Sequence, residues 1–170
     1  MTQPPEPRGE VAALVAVQSA LGRPAVVATA RAMSHFGEHS AGWLALSAVG
    51  ALSAPRRRRE WLLAGAGAFV AHATAVLIKR AVRRRRPDHP AVMVNVGTPS
   101  ALSFPSAHAT STTTAAVLMG PLTGLPLPAL LVPPMALSRL VLGVHYPSDV
   151  LTGVAVGALV ARLVKKIGRP

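Results

Sequence analysis

Clusters of arginine and lysine edge a series of apolar stretches in this chain, and that alternation restricts the fold more than any other feature. Six apolar segments lie at roughly 11–31, 40–54, 61–78, 106–120, 127–143 and 148–164. Several are shorter than the ~20 residues that fully span a bilayer. They are nevertheless rich in Ala, Gly, Val and Leu, as closely packed membrane helices are. No strand-like alternation runs long enough to compete, so the predicted fold is all-α: a polytopic membrane helix bundle of about six helices. Gly22-Arg23-Pro24 interrupts the first segment, and Pro133-Pro134 should kink the fifth.

Composition agrees with that reading. Of 170 residues, 51% are hydrophobic and only 14% charged, and the mean hydropathy is +0.42; these are poor figures for a compact solvated globule. Against the apolar bulk stands a formal charge of +12, which points to anionic partners. With aromatic residues at 4% there is little for base stacking, and the charges flank helices instead of forming one face, so no nucleic-acid partner is expected. The chain has no cysteine, hence no disulfide and no thiolate metal site. Residues 1–10, polar and proline-rich, read as a disordered tail without signal-peptide character, leaving 11–170 as one membrane-embedded domain.

The positive-inside rule sets an orientation. It places Arg56 to Arg59 and the tail containing Lys165, Lys166 and Arg169 in the cytoplasm, and six crossings then leave both termini inside. Lys79, Ser106, His108, Arg139, His145 and Asp149 all fall near the opposite, extracytoplasmic face. Arg83 to Arg86 fall there too, against the rule: either the orientation is inverted or these charges are kept because they bind something anionic, and the agreement of the two flanking clusters favours the second.

Three pieces meet at that face. The first is Lys79, six residues, then Arg86-Pro87; the second is Pro105-Ser106-Ala107-His108; the third is Ser138-Arg139, five residues, His145, three residues, Asp149. In order and spacing they resemble the signature of the type 2 phosphatidic acid phosphatase superfamily, membrane lipid phosphatases related to vanadium-dependent haloperoxidases. The resemblance implies a phosphatase that needs no metal or other cofactor and passes through a phosphohistidine. The chemistry suits the residues. Lys79, Arg86 and Arg139 can hold a phosphate dianion and stabilise charge on the transferring phosphoryl group. The Ser106 hydroxyl and the Ala107 and His108 amides start a helix, where backbone donors favour an anion. His145, oriented by Asp149, reads as the nucleophile, and His108 as the general acid and base.

Singly, each residue has a plainer explanation. Ser106 and Asp149 can cap helices, and Lys79 and Arg139 can anchor helix ends at the interface; their joint occurrence at these spacings favours catalysis. His72, inside the third segment, reads as a packed polar residue bonding a neighbouring helix. His35, Glu38 and His39 are expected to line the substrate entrance, without enough ligands for a metal. Arg83, Arg84 and Arg85 add phosphate or headgroup affinity, or bind anionic lipid. Ala107 stands where the family commonly has glycine, and its methyl would crowd the phosphate if that glycine's backbone is closed to other residues. The partners implied are the membrane and a lipid phosphate: phosphatidic acid, phosphatidylglycerol phosphate, a polyprenyl diphosphate or a polyprenyl-linked sugar phosphate. The stretch MSHFGEHSAGWLALSAVGAL is similar to members acting on the last of these in arabinan-containing cell envelopes. A non-enzymatic basic membrane scaffold remains the alternative from another class.

Overall fold

The computed structural model describes residues 6–168. Among them the chain forms seven α-helices: α1 Gly9–Leu21, α2 Pro24–Gly37, α3 Ala41–Ser53, α4 Arg58–Val82, α5 Ala107–Thr123, α6 Leu127–Val141 and α7 Pro147–Gly168. The six expected segments are all present, the first divided at Gly22-Arg23, with Pro24 opening α2 as proline opens helices readily. A 3-10 turn, Glu38–Ser40, joins α2 to α3, and another, Pro55–Arg57, leads into α4. Pro133 and Pro134 lie within a continuous α6. Of the expected tail, residues 1–5 lie outside the described residues, whereas Gly9 and Glu10 already belong to α1; Arg169 of the basic terminus also lies outside them.

α5 is the central helix, packed by α4, α6 and α7 and touched by α2. Its interior is unusually hydroxylic: Thr110, Ser111, Thr112, Thr113 and Thr114 are all buried. Most satisfy themselves locally. Thr110, Thr113 and Thr114 donate to the carbonyls four residues back at 2.8, 2.7 and 3.1 Å, and Thr114 also reaches the Gly157 carbonyl of α7 at 2.8 Å. Large apolar side chains face outward instead, among them Val49, Leu52, Leu77, Leu151 and Ile167. Buried hydroxyls and an apolar exterior are the distribution a bilayer favours, because lipid solvates leucine and only another helix solvates threonine. Pro55–Val82, 28 residues, is long and apolar enough to cross a membrane, and Gly9–Leu21 with Pro24–Ser53 passes the same test as a pair bent by 116°.

That bend changes the expected topology. Both ends of α1 are held at one end of the bundle. Glu10 accepts from the Ser148 amide at the start of α7 at 2.8 Å, and Gln18 donates to the Val141 carbonyl at the end of α6 at 3.1 Å. α1 therefore lies across that end instead of crossing. α2, the 3-10 turn and α3 together run from there to the other end, where Arg57 bonds the Pro121 carbonyl at 3.1 Å. Five passes along the bundle remain, α2 with α3 making one of them, and the start of α1 and the end of α7 lie at opposite ends of the molecule, where six passes would leave them at the same end. Hydropathy measures how apolar a helix is and not the angle at which it lies.

Candidate active site

The end of the bundle covered by α1 collects the last turn of α4, the first turn of α5, the last turn of α6 and the start of α7, together with the connection 83–106. A cavity of about 630 Å³ opens there. Lys79, Arg86, Ala107, His108, Arg139 and His145 all line it, so three distant stretches of chain do meet. Ser106 and Asp149, both fully buried, stand behind the lining and are not part of it.

Each cation is tethered by backbone or hydroxyl oxygens. Lys79 Nζ donates to the Ser103 carbonyl at 2.6 Å and sits 3.3 Å from that of Leu102. Arg86 donates from Nε to the Ser100 carbonyl at 2.8 Å and from Nη1 to that of Val144 at 2.6 Å. Arg139, 2% exposed, donates to Ser138 Oγ and Ser34 Oγ, both at 3.1 Å. Among the described residues none of the three faces a carboxylate in a salt bridge, so their charge is available to an incoming anion. Burial lowers the Arg86 guanidinium to about 10, with the Asp149 charge opposing; it stays protonated at neutral pH.

The two imidazoles are held differently. His108 Nε2 lies 2.9 Å from the Ser34 carbonyl, an acceptor that fixes this nitrogen as the N–H. His145 Nδ1 lies 3.5 Å from Asp149 Oδ2, and its Nε2 lies 3.4 Å from Arg86 Nη1. A separation of 3.5 Å is longer than a formed hydrogen bond, and Nδ1 accordingly has no partner among the described residues. The carboxylate is shared: Oδ1 accepts from Arg84 at 3.0 Å and Oδ2 from the Tyr146 amide at 2.8 Å. Burial, followed by the Arg86, Lys79 and Arg139 charges, holds His145 well below the usual histidine range, so its ring is unprotonated at neutral pH.

Ser106 caps α5, its Oγ accepting from the Ala109 amide at 3.4 Å, and its own amide donates to the Asp149 carbonyl at 2.9 Å. Ala107 opens α5 with no left-handed backbone angle, so alanine occupies the position without strain.

Several residues are not where sequence reasoning put them. Arg84 is no free anion site: it donates to Glu10 at 2.6 Å, to Ser148 at 2.7 Å and to Asp149, and its guanidinium lies 4.0 Å from the Tyr146 ring centre. Glu10 and Ser34 escaped notice altogether, because their partners lie 74 or more positions away and no motif marks either residue. His72 does not bond a neighbouring helix; its Nδ1 is buried without a partner among the described residues, and the ring borders the cavity. His35, Glu38 and His39 border it as well.

An all-helical membrane bundle with three converging cations and two histidines at one end defines a class, and the chain belongs to the PAP2 superfamily, whose sequence pattern matches residues 60–169. This is the family the three motifs resembled. The chain is 73% identical over 163 residues to the decaprenylphosphoryl-5-phosphoribose phosphatase of Mycobacterium tuberculosis, covering 95% of this chain and 92% of that one. It is 74% identical over 148 residues to the protein of the same name from Mycolicibacterium smegmatis, covering 86% and 82%. Its fold is similar to that of the crystal structure of the first transmembrane PAP2 type phosphatidylglycerolphosphate phosphatase from Bacillus subtilis, with a TM-score of 0.72 over 92% of this chain and 84% of that one, at 21% identity.

Proposed function

We propose that this protein hydrolyses the 5-phosphate of a polyprenyl-linked phosphoribose, decaprenylphosphoryl-5-phosphoribose, through a phosphohistidine intermediate. The observation that carries the reaction is the convergence of Lys79, Arg86, Arg139, His108 and His145 on one cavity; the substrate rests on the 73% identity. The three cations bind the phosphate oxygens and stabilise charge as the phosphoryl group flattens. His145 Nε2, beside Arg86, attacks phosphorus as the ester P–O bond breaks, and Asp149 near Nδ1 stabilises the ring as it gains positive charge. With Nε2–H held by the Ser34 carbonyl, His108 acts through Nδ1: protonated there in the substrate complex, it gives that proton to the leaving alkoxide, then takes one back at Nδ1 from water as that water attacks phosphorus and the P–N bond breaks, releasing inorganic phosphate. Orientation follows the basic clusters: Arg56 to Arg59 and Lys165 with Lys166 share the end away from the cavity, so the site opens on the extracytoplasmic face of the cell membrane.

The test is phosphate release by the purified protein from a panel of lipid phosphates, beside His145→Ala and in the presence of chelator. Expected is fastest release from the lipid-linked phosphoribose, persistence with chelator and near-complete loss in His145→Ala. Activity surviving in His145→Ala removes the nucleophile from this scheme, and loss on chelation removes its metal-free cation set.

A further inference from the structure

Apart from the phosphate-facing cations, the cavity has a second polar wall, made by Glu38, His39 and His72. Three observations show that it is built and not incidental. His39 and Ser40 both take left-handed backbone angles, φ 49° and 62°, a conformation disfavoured for residues with a side chain. Ser40 is fully buried and donates to the Ala68 carbonyl of α4 at 3.3 Å, which fixes that turn against the helix. The result brings the His39 ring to 5.8 Å from His72, whose buried Nδ1 is unpartnered among the described residues.

The wall adjoins one particular side of the reaction. A Cβ on Gly37 would stand 2.7 Å from His108 Cδ2, so the backbone leading into Glu38 and His39 presses on the His108 ring. In-line transfer puts the attacking nitrogen and the departing oxygen on opposite sides of phosphorus. Under the proposed function His108 protonates the departing oxygen, so the group bearing that oxygen lies next to the His108 ring, whose other edge this wall touches, and within the same cavity. One face of α4 then reads Lys79, His72 and Phe69 in order: a cation, a polar group about 10 Å further along the axis, and an exposed aromatic one turn beyond. That order matches a phosphate, a hydroxylated group and a lipid tail.

We infer that Glu38, His39 and His72 form a leaving-group subsite that hydrogen-bonds the hydroxyls of a sugar standing between the phosphate and the lipid. An imidazole has two ring nitrogens able to donate or accept, and a carboxylate such as that of Glu38 accepts, a set suited to vicinal hydroxyls. An acyl glycerol would leave these groups without partners. The inference rests on the proposed function and extends it to the source of substrate selectivity.

The experiment compares kcat/KM for the lipid-linked phosphoribose with that for phosphatidate, which carries a phosphate and lipid but no sugar. The ratio of the two, sugar lipid over phosphatidate, is expected to fall about tenfold or more in His72→Ala and in His39→Ala. His39→Asn, which tolerates the left-handed backbone and retains a donor and an acceptor, should recover most of the ratio. A ratio within about twofold of the unmodified protein in both alanine variants overturns the subsite. If the unmodified protein itself prefers phosphatidate, it is the substrate assignment that falls, and the subsite with it.

Discussion

At the scale of single residues, the site depends on side chains whose freedom has been removed. Gly37 has ordinary helical backbone angles, so an alanine there costs nothing in conformation, and its whole effect is the contact of its methyl with the His108 ring. Gly37→Ala is expected to lower kcat by about tenfold to a hundredfold with a smaller change in KM, since displacement of the proton donor harms the transition state more than the bound phosphate. Steady-state kinetics on one lipid phosphate reads the split. His145 yields a second prediction, through pH. Its folded value lies below the usual range because of burial and then Arg86, so the ring stays unprotonated and nucleophilic to a lower pH than an ordinary histidine. Removing the Arg86 charge in Arg86→Gln weakens that depression, and the acid limb of the remaining activity should move up by about one unit. The substrate's own ionisation is common to both proteins and cancels in the comparison; an unmoved or lowered limb contradicts the assignment of His145 as the group that must be unprotonated.

At the scale of helices, two packing arrangements fix the distance between the halves of the site. α7 meets α5 backbone to backbone: a Cβ on Gly153 would stand 2.7 Å from the Ser106 carbonyl, and one on Gly157 would collide with that of Thr110. Small residues four apart permit this approach, and the start of each helix carries part of the constellation. Gly157→Leu should therefore destabilise by about 1–3 kcal/mol and abolish activity by separating His108 from His145; thermal inactivation in detergent measures both. The second arrangement is α1, whose Glu10 holds Arg84 and the start of α7 while Arg84 holds Asp149. Glu10→Ala removes one of the two carboxylates that hold Arg84 and the acceptor of the Ser148 amide, and should reduce kcat about tenfold, with Glu10→Gln intermediate because it keeps an acceptor for that amide. These two arrangements differ in how far the sequence discloses them. The five cavity residues of charge and imidazole were legible because their order and spacing resemble the family's motifs and their chemistry suits phosphoryl transfer, and the helices because their apolar runs are long. Glu10, Ser34 and the Gly37 contact were not, since each acts on a residue far along the chain through geometry that no local pattern encodes. His72 was misread for the same reason: whether a histidine within an apolar helix meets another helix or a cavity depends on neighbours the helix itself does not specify.

At the scale of the whole molecule, the arrangement of α1 decides how the protein sits in its membrane. Five crossings put the start of α1 on the cavity side and the end of α7 on the other, whereas six would put both on one side. The basic clusters do not choose between the two, because Arg56 to Arg59 and Lys165 with Lys166 share one end in either; the contacts of α1 do. The chain has no cysteine, so single introduced thiols report their location without background. Arg8, Asp88 and Lys166 are exposed and distribute across both ends. With a membrane-impermeant thiol reagent on intact cells, Arg8→Cys and Asp88→Cys should be labelled and Lys166→Cys should react only after permeabilisation. Joint labelling of the first two follows from the Glu10 and Gln18 contacts, which bind α1 to the same end as the connection bearing Asp88. A protected Arg8→Cys beside a labelled Asp88→Cys would mean that α1 crosses after all, and the contacts that tie Glu10 to Arg84 and Asp149 could not then form.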